Sequence, residues 1–332
     1  MKKFLLFTFF TATITVTAQI LETDNYNTYT IGNIGTDITG TTAGQGGMYT
    51  TGTNGSNSDF QIFAVDAAHI NSLQVKTGAT ATAASSRTVS KNGLDTAWNN
   101  RTPGNNVIKG TLEIYTGTSS GVVRTGSRIF STTGQGIIGI FYNTSTKAIN
   151  TLANFTNSSG TPSGIYQAVA GTSFPANTWI SVGYTYDPIN ATATYTINGM
   201  TYPITPPAGS TITPGLVPLR HDITGLFITG NSVVNTFAVD NYSIEAINPA
   251  TLSANEVSDK KLLSISPNPT SDYLTINSKE KIKSVRVFDV SGRKINLRYD
   301  GNVLDVMNLE KGTYILTIQT DQNTFSKEFI KK

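Results

Sequence analysis

Between Thr178 and Asp187 every second residue is apolar, so that Ile180, Val182, Tyr184 and Tyr186 share one face. Period-two alternation of this kind predicts a half-buried β-strand. Pro188-Ile189-Asn190 then turns the chain. Residues 193–197 and 200–204 flank Asn198-Gly199, the pair that favours a type I′ hairpin. Similar runs predict strands over 60–65, 108–115, 127–131, 137–142, 225–229 and 236–244. Nowhere do apolar residues recur at helical spacing for three turns. Thr, Tyr, Val and Ile supply the strands; Gly, Asn, Ser and Pro supply the turns. A stretch of roughly 230 residues of short strands fits one β-sandwich better than two small domains. Trp179 reads as core, since its strand alternates cleanly.

The two ends carry other patterns. Lys2-Lys3, a short apolar run at 4–10 and small residues up to Ala18 describe a secretory signal peptide over 1–18, cut between Ala18 and Gln19. The apolar run is far shorter than the ~20 residues of a spanning helix. No later segment is long and apolar enough to cross a bilayer, so the expectation is an exported protein that is not an integral membrane protein. Toward the C-terminus, 262–266 and 273–276 flank Pro267-Asn268-Pro269, which lacks two backbone donors and cannot continue a ladder. Residues 285–290 alternate, Ser291-Gly292 turns, Gly312 leads into a strand over 313–318, and Lys331-Lys332 ends the chain. These residues alone predict a small antiparallel sandwich.

Composition separates the two regions. Between Gln19 and Ala250 only 20 residues are charged, against 23 of the 82 from Thr251 onward, and 27 of the 30 glycines precede Thr251. A break that sharp marks a domain boundary, with 19–247 as passenger, 248–261 as linker and 262–332 as tail. The net charge of +3 divides into +2, −2 and +3 over 1–18, 19–250 and 251–332, so no part has the basic concentration that nucleic-acid binding requires. Zero Cys excludes a disulfide scaffold, a Cys-based zinc site and a thiol nucleophile. Only His69 and His221 are available, which excludes multi-histidine metal catalysis.

The opening 21–32, the strand pair 179–198 and the closing 237–245 together resemble the concanavalin A-like jelly roll of lectins, laminin-G-like modules and β-glucanases. The resemblance implies that the first and last strands lie side by side, bringing Glu22, Asp24 and Asp240 together. It also implies a structural calcium ion there, held by these carboxylates and by carbonyls. The tail closely resembles the type A C-terminal sorting domain of the type IX, or Por, secretion system. The motifs are Pro267-Asn268-Pro269, the strand-turn through Gly292, Leu309-x-x-Gly312-x-Tyr314 and the basic Lys331-Lys332 terminus. That resemblance implies passage of the inner membrane on the signal peptide, then recognition of the folded tail by the type IX machinery. It further implies removal by a sortase-like peptidase, with the passenger released or attached to the outer-membrane surface.

Candidate chemistry in the passenger is sparse. Retaining β-glucanases of the resembled superfamily use Glu-x-Asp-x-Glu on one strand, with carboxyls ~5 Å apart. Glu113 has no acidic residue two positions to either side, so that pattern is absent. No Gly-x-Ser-x-Gly elbow occurs, and a Ser/His/Asp triad has two histidines to choose from. Gly134-Gln135-Gly136-Ile137-Ile138-Gly139 matches a dinucleotide fingerprint by letter, but a β run follows it, so it reads as a loop entering a strand. Sugars are gripped by an aromatic face together with planar amide or guanidinium donors. Trp98, Asn99, Arg101, Tyr142, Asn143, Arg220 and His221 could supply these, and Trp98→Ala is then expected to abolish glycan retention without lowering stability. The opposing reading buries Trp98 at a sheet end and uses His221 locally beside Asp222. The expectation is a secreted or surface, non-catalytic carbohydrate-binding or adhesive sandwich. The alternatives are a polysaccharide-active hydrolase with an unrecognised site and a purely structural matrix protein.

Overall fold

The computed structural model describes residues 18–249, 263–278, 280–289, 293–320 and 324–332. The signal segment up to residue 17, the linker from 250 and the sorting residue Gly292 lie outside the described residues.

The passenger opens with β1 (Gln19–Asp24), β2 (Gly32–Asn33), β3 (Met48–Thr51), β4 (Phe60–Phe63), β5 (Ser72–Lys76) and β6 (Arg87–Asn92). A short helix, α1 (Leu94–Asn99), leads to β7 (Val107–Tyr115), β8 (Val123–Ser131), β9 (Gly136–Asn143), β10 (Ala148–Thr156) and β11 (Pro162–Ala168). It closes with β12 (Trp179–Asp187), β13 (Thr192–Ile197), β14 (Met200–Pro203), β15 (Thr211–Ile212), β16 (Pro218–Phe227) and β17 (Thr236–Ile247). Nine strands form one sheet in the order β14-β13-β12-β7-β17-β5-β4-β2, with β1 also on β17. Eight form the second in the order β11-β10-β9-β8-β16-β6-β3, with β15 on β10.

The first and last passenger strands are therefore neighbours, as the jelly-roll resemblance implies. Ile180, Val182, Tyr184 and Tyr186 all point into the core between the sheets. Asn198 and Gly199 take φ of 46° and 84°, the left-handed pair that a type I′ hairpin needs. Gly136 opens β9, so the glycine run there does enter a strand. β10 escapes the hydrophobic pattern because Thr151 shares the inward face with Ile149, Ala153 and Phe155, while Leu152 lies among the asparagines of the other face. Leu94 and Trp98, one helical turn apart, are the buried face of α1.

The tail has two four-stranded sheets. One joins β18 (Leu263–Ser266), β19 (Tyr273–Ser278), β22 (Tyr299–Asp300) and β23 (Val303–Asp305). The other joins β20 (Ile282–Asp289), β21 (Lys294–Ile295), β24 (Gly312–Thr320) and β25 (Thr324–Lys331). The described tail strands pair only with one another. They enclose their own core, which includes Leu274, Ile276, Leu316, Ile318 and Phe329.

Candidate functional site

The sugar-binding candidates divide by the face of the strand on which each sits. Trp98 is 4% exposed and belongs to the core, so it cannot offer a ring face to a ligand. Arg101 lies over that ring at 4.0 Å and donates to the carbonyls of Trp98 and Asn105, which makes it a brace for α1. Asn99 is exposed beside it at the end of the helix. Tyr142 and His221 point inward. Asn143 and Arg220 point outward from the second sheet, near opposite ends of the face. Trp179 reverses the expectation of a core residue. Because Ile180 and Val182 point inward, Trp179 falls on the outer face of the first sheet, where its ring stacks on His69.

The expected calcium ligands do not converge. A register shift between Ile20 and Glu22 turns Glu22 inward, where it accepts the Tyr242 hydroxyl at 2.9 Å. Asp24 accepts the Tyr26 amide and the Tyr29 hydroxyl and pairs with Lys91. Asp240 points outward, bonded to the Asn241 amide and Ser72. Among the described residues no group of three His, Asp or Glu side chains could hold a metal ion. These residues do not fit the implied ion.

Inside the sandwich, Ser127 Oγ lies 2.6 Å from His221 Nε2, and His221 Nδ1 lies 3.3 Å from Glu22 Oε1. By connectivity this is a nucleophile, a base and an orienting carboxylate. Ser127 is 0% exposed, however, so no substrate carbonyl can approach its hydroxyl. The network instead ties β8 and β16 of one sheet to β1 and β17 of the other. Its polar atoms are satisfied where an unpaired group would be costly.

The outer face of the second sheet carries a different constellation. The register sets Arg220 opposite Phe130, Asp222 opposite Arg128 and Asn143 opposite Arg124. The guanidinium carbons of Arg128 and Arg220 lie over the Phe130 ring at 4.4 and 4.5 Å. Their like charges are held together by Asp222, fully buried, which accepts Arg220 Nε at 2.8 Å, Arg128 Nε at 3.3 Å and Ser90 Oγ at 2.8 Å. Farther along β8, Arg124 lies over the Tyr166 ring at 4.5 Å and donates to Asn150 Oδ1, which also accepts Asn143 Nδ2. Stacked guanidinium planes beside fixed amides present rigid donors to a planar anion or a sugar hydroxyl edge. Sequence reading found Arg220 and Asn143 but not Arg124, Arg128 and Tyr166. Strand register alone unites them.

On the opposite side of the passenger, the 64–71 loop folds over the first sheet. His69 stacks on Trp179 with ring centroids 3.8 Å apart, and its nitrogens lie 2.9 Å from Asp66 and 3.3 Å from Glu113. Trp179 Nε1 donates to Asp66 at 2.8 Å. The bond to His69 is the main cause that holds the Asp66 carboxyl down to about 2. Asp240 stands directly opposite Glu113 across β7 and β17, a cross-strand acid pair that spacing along one strand cannot reveal. Burial pushes its carboxyl up to about 6. Asp240 is only 2% exposed, which leaves it no approach to a glycosidic oxygen.

In the tail, the amide of Asn268 bridges the last strand. It donates to the Glu328 carbonyl at 2.9 Å and accepts the Ile330 N–H at 2.9 Å. Pro267-Asn268-Pro269 thus caps an edge that its own backbone could not pair. Tyr314 stacks on Phe329 at 5.5 Å and donates to the Glu310 carbonyl. Gly312 opens the same strand, and Lys331 pairs opposite it before the exposed terminal Lys332.

These features define an all-β protein whose large sandwich is followed by a small C-terminal one. Residues 264–332 match the secretion system C-terminal sorting domain. The chain therefore carries the export signal of the type IX system, and its destination is the extracellular space or the outer-membrane surface. No described helix is long and apolar enough to cross a membrane. Comparison with curated proteins gives no match. Among solved structures, the binding domain of botulinum neurotoxin DC in complex with SialylT is similar over 84% of this chain and 68% of that one, at 9% identity and a TM-score of 0.40. A structure of botulinum neurotoxin type C, whose cell entry is described as dependent on two ganglioside molecules, covers 84% of this chain and 67% of its own, at 10% identity and a TM-score of 0.41. A sialidase covers 75% and 22%, at 8% identity and a TM-score of 0.43. None of these scores carries an inference about the activity of this chain.

Proposed function

We propose that residues 19–247 are a non-catalytic glycan-binding module, delivered by the type IX route and presented outside the cell. The observation that carries this reading is the paired stacking of Arg128 and Arg220 on Phe130, fixed by buried Asp222. Planar donors already held in place lose little rotamer freedom when a sugar docks, so a shallow face can still bind. The buried serine network and the sealed Asp240 speak for binding rather than hydrolysis. In the same reading, a sortase-like peptidase cuts within 248–261 and frees the passenger from its folded tail.

A glycan array probed with the mature chain tests the passenger. Retention of a defined set of glycans, reduced at least about tenfold by Arg220→Ala, is the expected result, roughly the worth of one charge-assisted contact. An array with no retained glycan, or one indifferent to Arg220→Ala, refutes the reading.

A further inference from the structure

Resting on that reading, we infer that the ligand is an acidic polysaccharide, and that Arg124 is the residue that takes the carboxylate of a uronic-acid unit. The three arginines of this face do not have equal roles. Arg128 and Arg220 each spend Nε on Asp222, so their charge is partly neutralised within the sheet. Arg124 has no carboxylate partner among the described residues. Its Nε is used by the amide oxygen of Asn150, and its ring contact with Tyr166 sets the plane of the fork. Asn150 is itself fixed by Asn143, whose side-chain oxygen accepts the Ser145 amide and hydroxyl. The two terminal nitrogens of Arg124 are left without protein partners among the described residues, in the parallel geometry that matches a carboxylate.

Charge distribution points the same way. The passenger as a whole is net negative, with nine basic and eleven acidic groups over 19–250. This face carries three of those nine cations, of which Asp222 pairs with only Arg128 and Arg220. Arg124 stands four residues from Arg128 on β8, about 13 Å along the strand. One chain can therefore touch both, with one sugar ring beside the Arg128–Phe130 stack and an acid at Arg124. A neutral glucan would leave the Arg124 fork unpaired.

The test measures retention of the mature full chain on three immobilised polymers: polygalacturonate, the same polymer methyl-esterified, and a neutral β-glucan. Polygalacturonate is expected to bind at least about tenfold better than either of the others. Arg124→Ala should remove most of that preference. Arg124→Lys should fail to restore it, because a point charge cannot replace the fork. Melting curves for both variants confirm that each is folded before it is scored. Equal binding of the free and esterified polymers overturns the inference, as does full retention by Arg124→Lys. So does equal binding of a fourth immobilised polymer, sulfated and lacking uronate. If a neutral glycan is bound and lost with Arg220→Ala but not with Arg124→Ala, the binding module stands and the acidic ligand falls. If none of the polymers and no glycan on the array is retained, the module itself falls.

Discussion

Replacing Asp222 by Asn probes the arginine face most directly, because it removes the charge and keeps the shape. In the native protein one carboxylate oxygen accepts from Ser90 and Arg220, and the other accepts from Arg128. An amide can satisfy one side only, since its NH2 must turn a donor toward an arginine N–H. Breaking a fully buried ion pair costs about 3–5 kcal/mol. The side chains of Arg128 and Arg220 keep exposures of 17% and 31%, so water screens the orphaned cations and the cost falls to about 1–3 kcal/mol. For a sandwich of this size each kcal/mol lowers Tm by about 2–4 °C, giving a drop of roughly 2–12 °C. Because the carboxylate is fully buried, the difference should persist in 1 M salt, where exposed pairs are screened within ~3 Å. Differential scanning calorimetry at low and high salt reads both quantities, and glycan retention should fall in step as the guanidinium planes loosen over Phe130. Melting within about 1 °C of wild type, with retention intact, would show that Asp222 neither positions the arginines nor holds the sheet.

Trp98→Ala should cost about 3–5 kcal/mol through the cavity it opens under α1 and the lost Arg101 stack, reversing the sequence expectation of a neutral change; an unchanged denaturation midpoint would contradict its place in the core. Asp240 keeps its proton up to about pH 6 in the folded protein, whereas the unfolded chain releases it near pH ~4. Unfolding therefore releases a proton in that window, and stability should decline as pH climbs from about 4 to 6. Asp240→Asn should flatten that decline and stabilise the protein at pH 7 by about 1–2 kcal/mol, and chemical denaturation across the pH series measures both effects. At Gly117, φ is +60° and an added Cβ would stand 1.6 Å from the Thr236 carbonyl oxygen, so Gly117→Ala should destabilise by at least about 3 kcal/mol or prevent folding, read from soluble yield and melting. Deleting 262–332 should trap a folded passenger in the periplasm, as scored by cell fractionation; normal appearance in the medium would end the sorting role of the tail.

Much of this protein is local and could be read in one dimension. Alternation around Ile180 and Tyr184, the Asn198-Gly199 hairpin and the Pro267-Asn268-Pro269 interruption each depend on backbone preferences within a few residues, so the sequence alone determined their strands and turns. The route of export was legible for the same reason: the sorting motifs lie together near one end. The inward and outward faces of β12 were legible too, and following Ile180 one step back would have placed Trp179 outside. What only the tertiary structure decided is which distant residues become neighbours. Arg128, Phe130 and Arg220 meet because β8 and β16 pair in one register, and Asp240 faces Glu113 because β17 lies beside β7. Ser127 and His221 adjoin across β8 and β16, whereas Glu22 reaches them from the facing sheet. In a strand a side chain's face depends on register, and a shift of one residue reverses it. The binding face therefore belongs to the sheet as a whole, and no stretch of chain carries it alone.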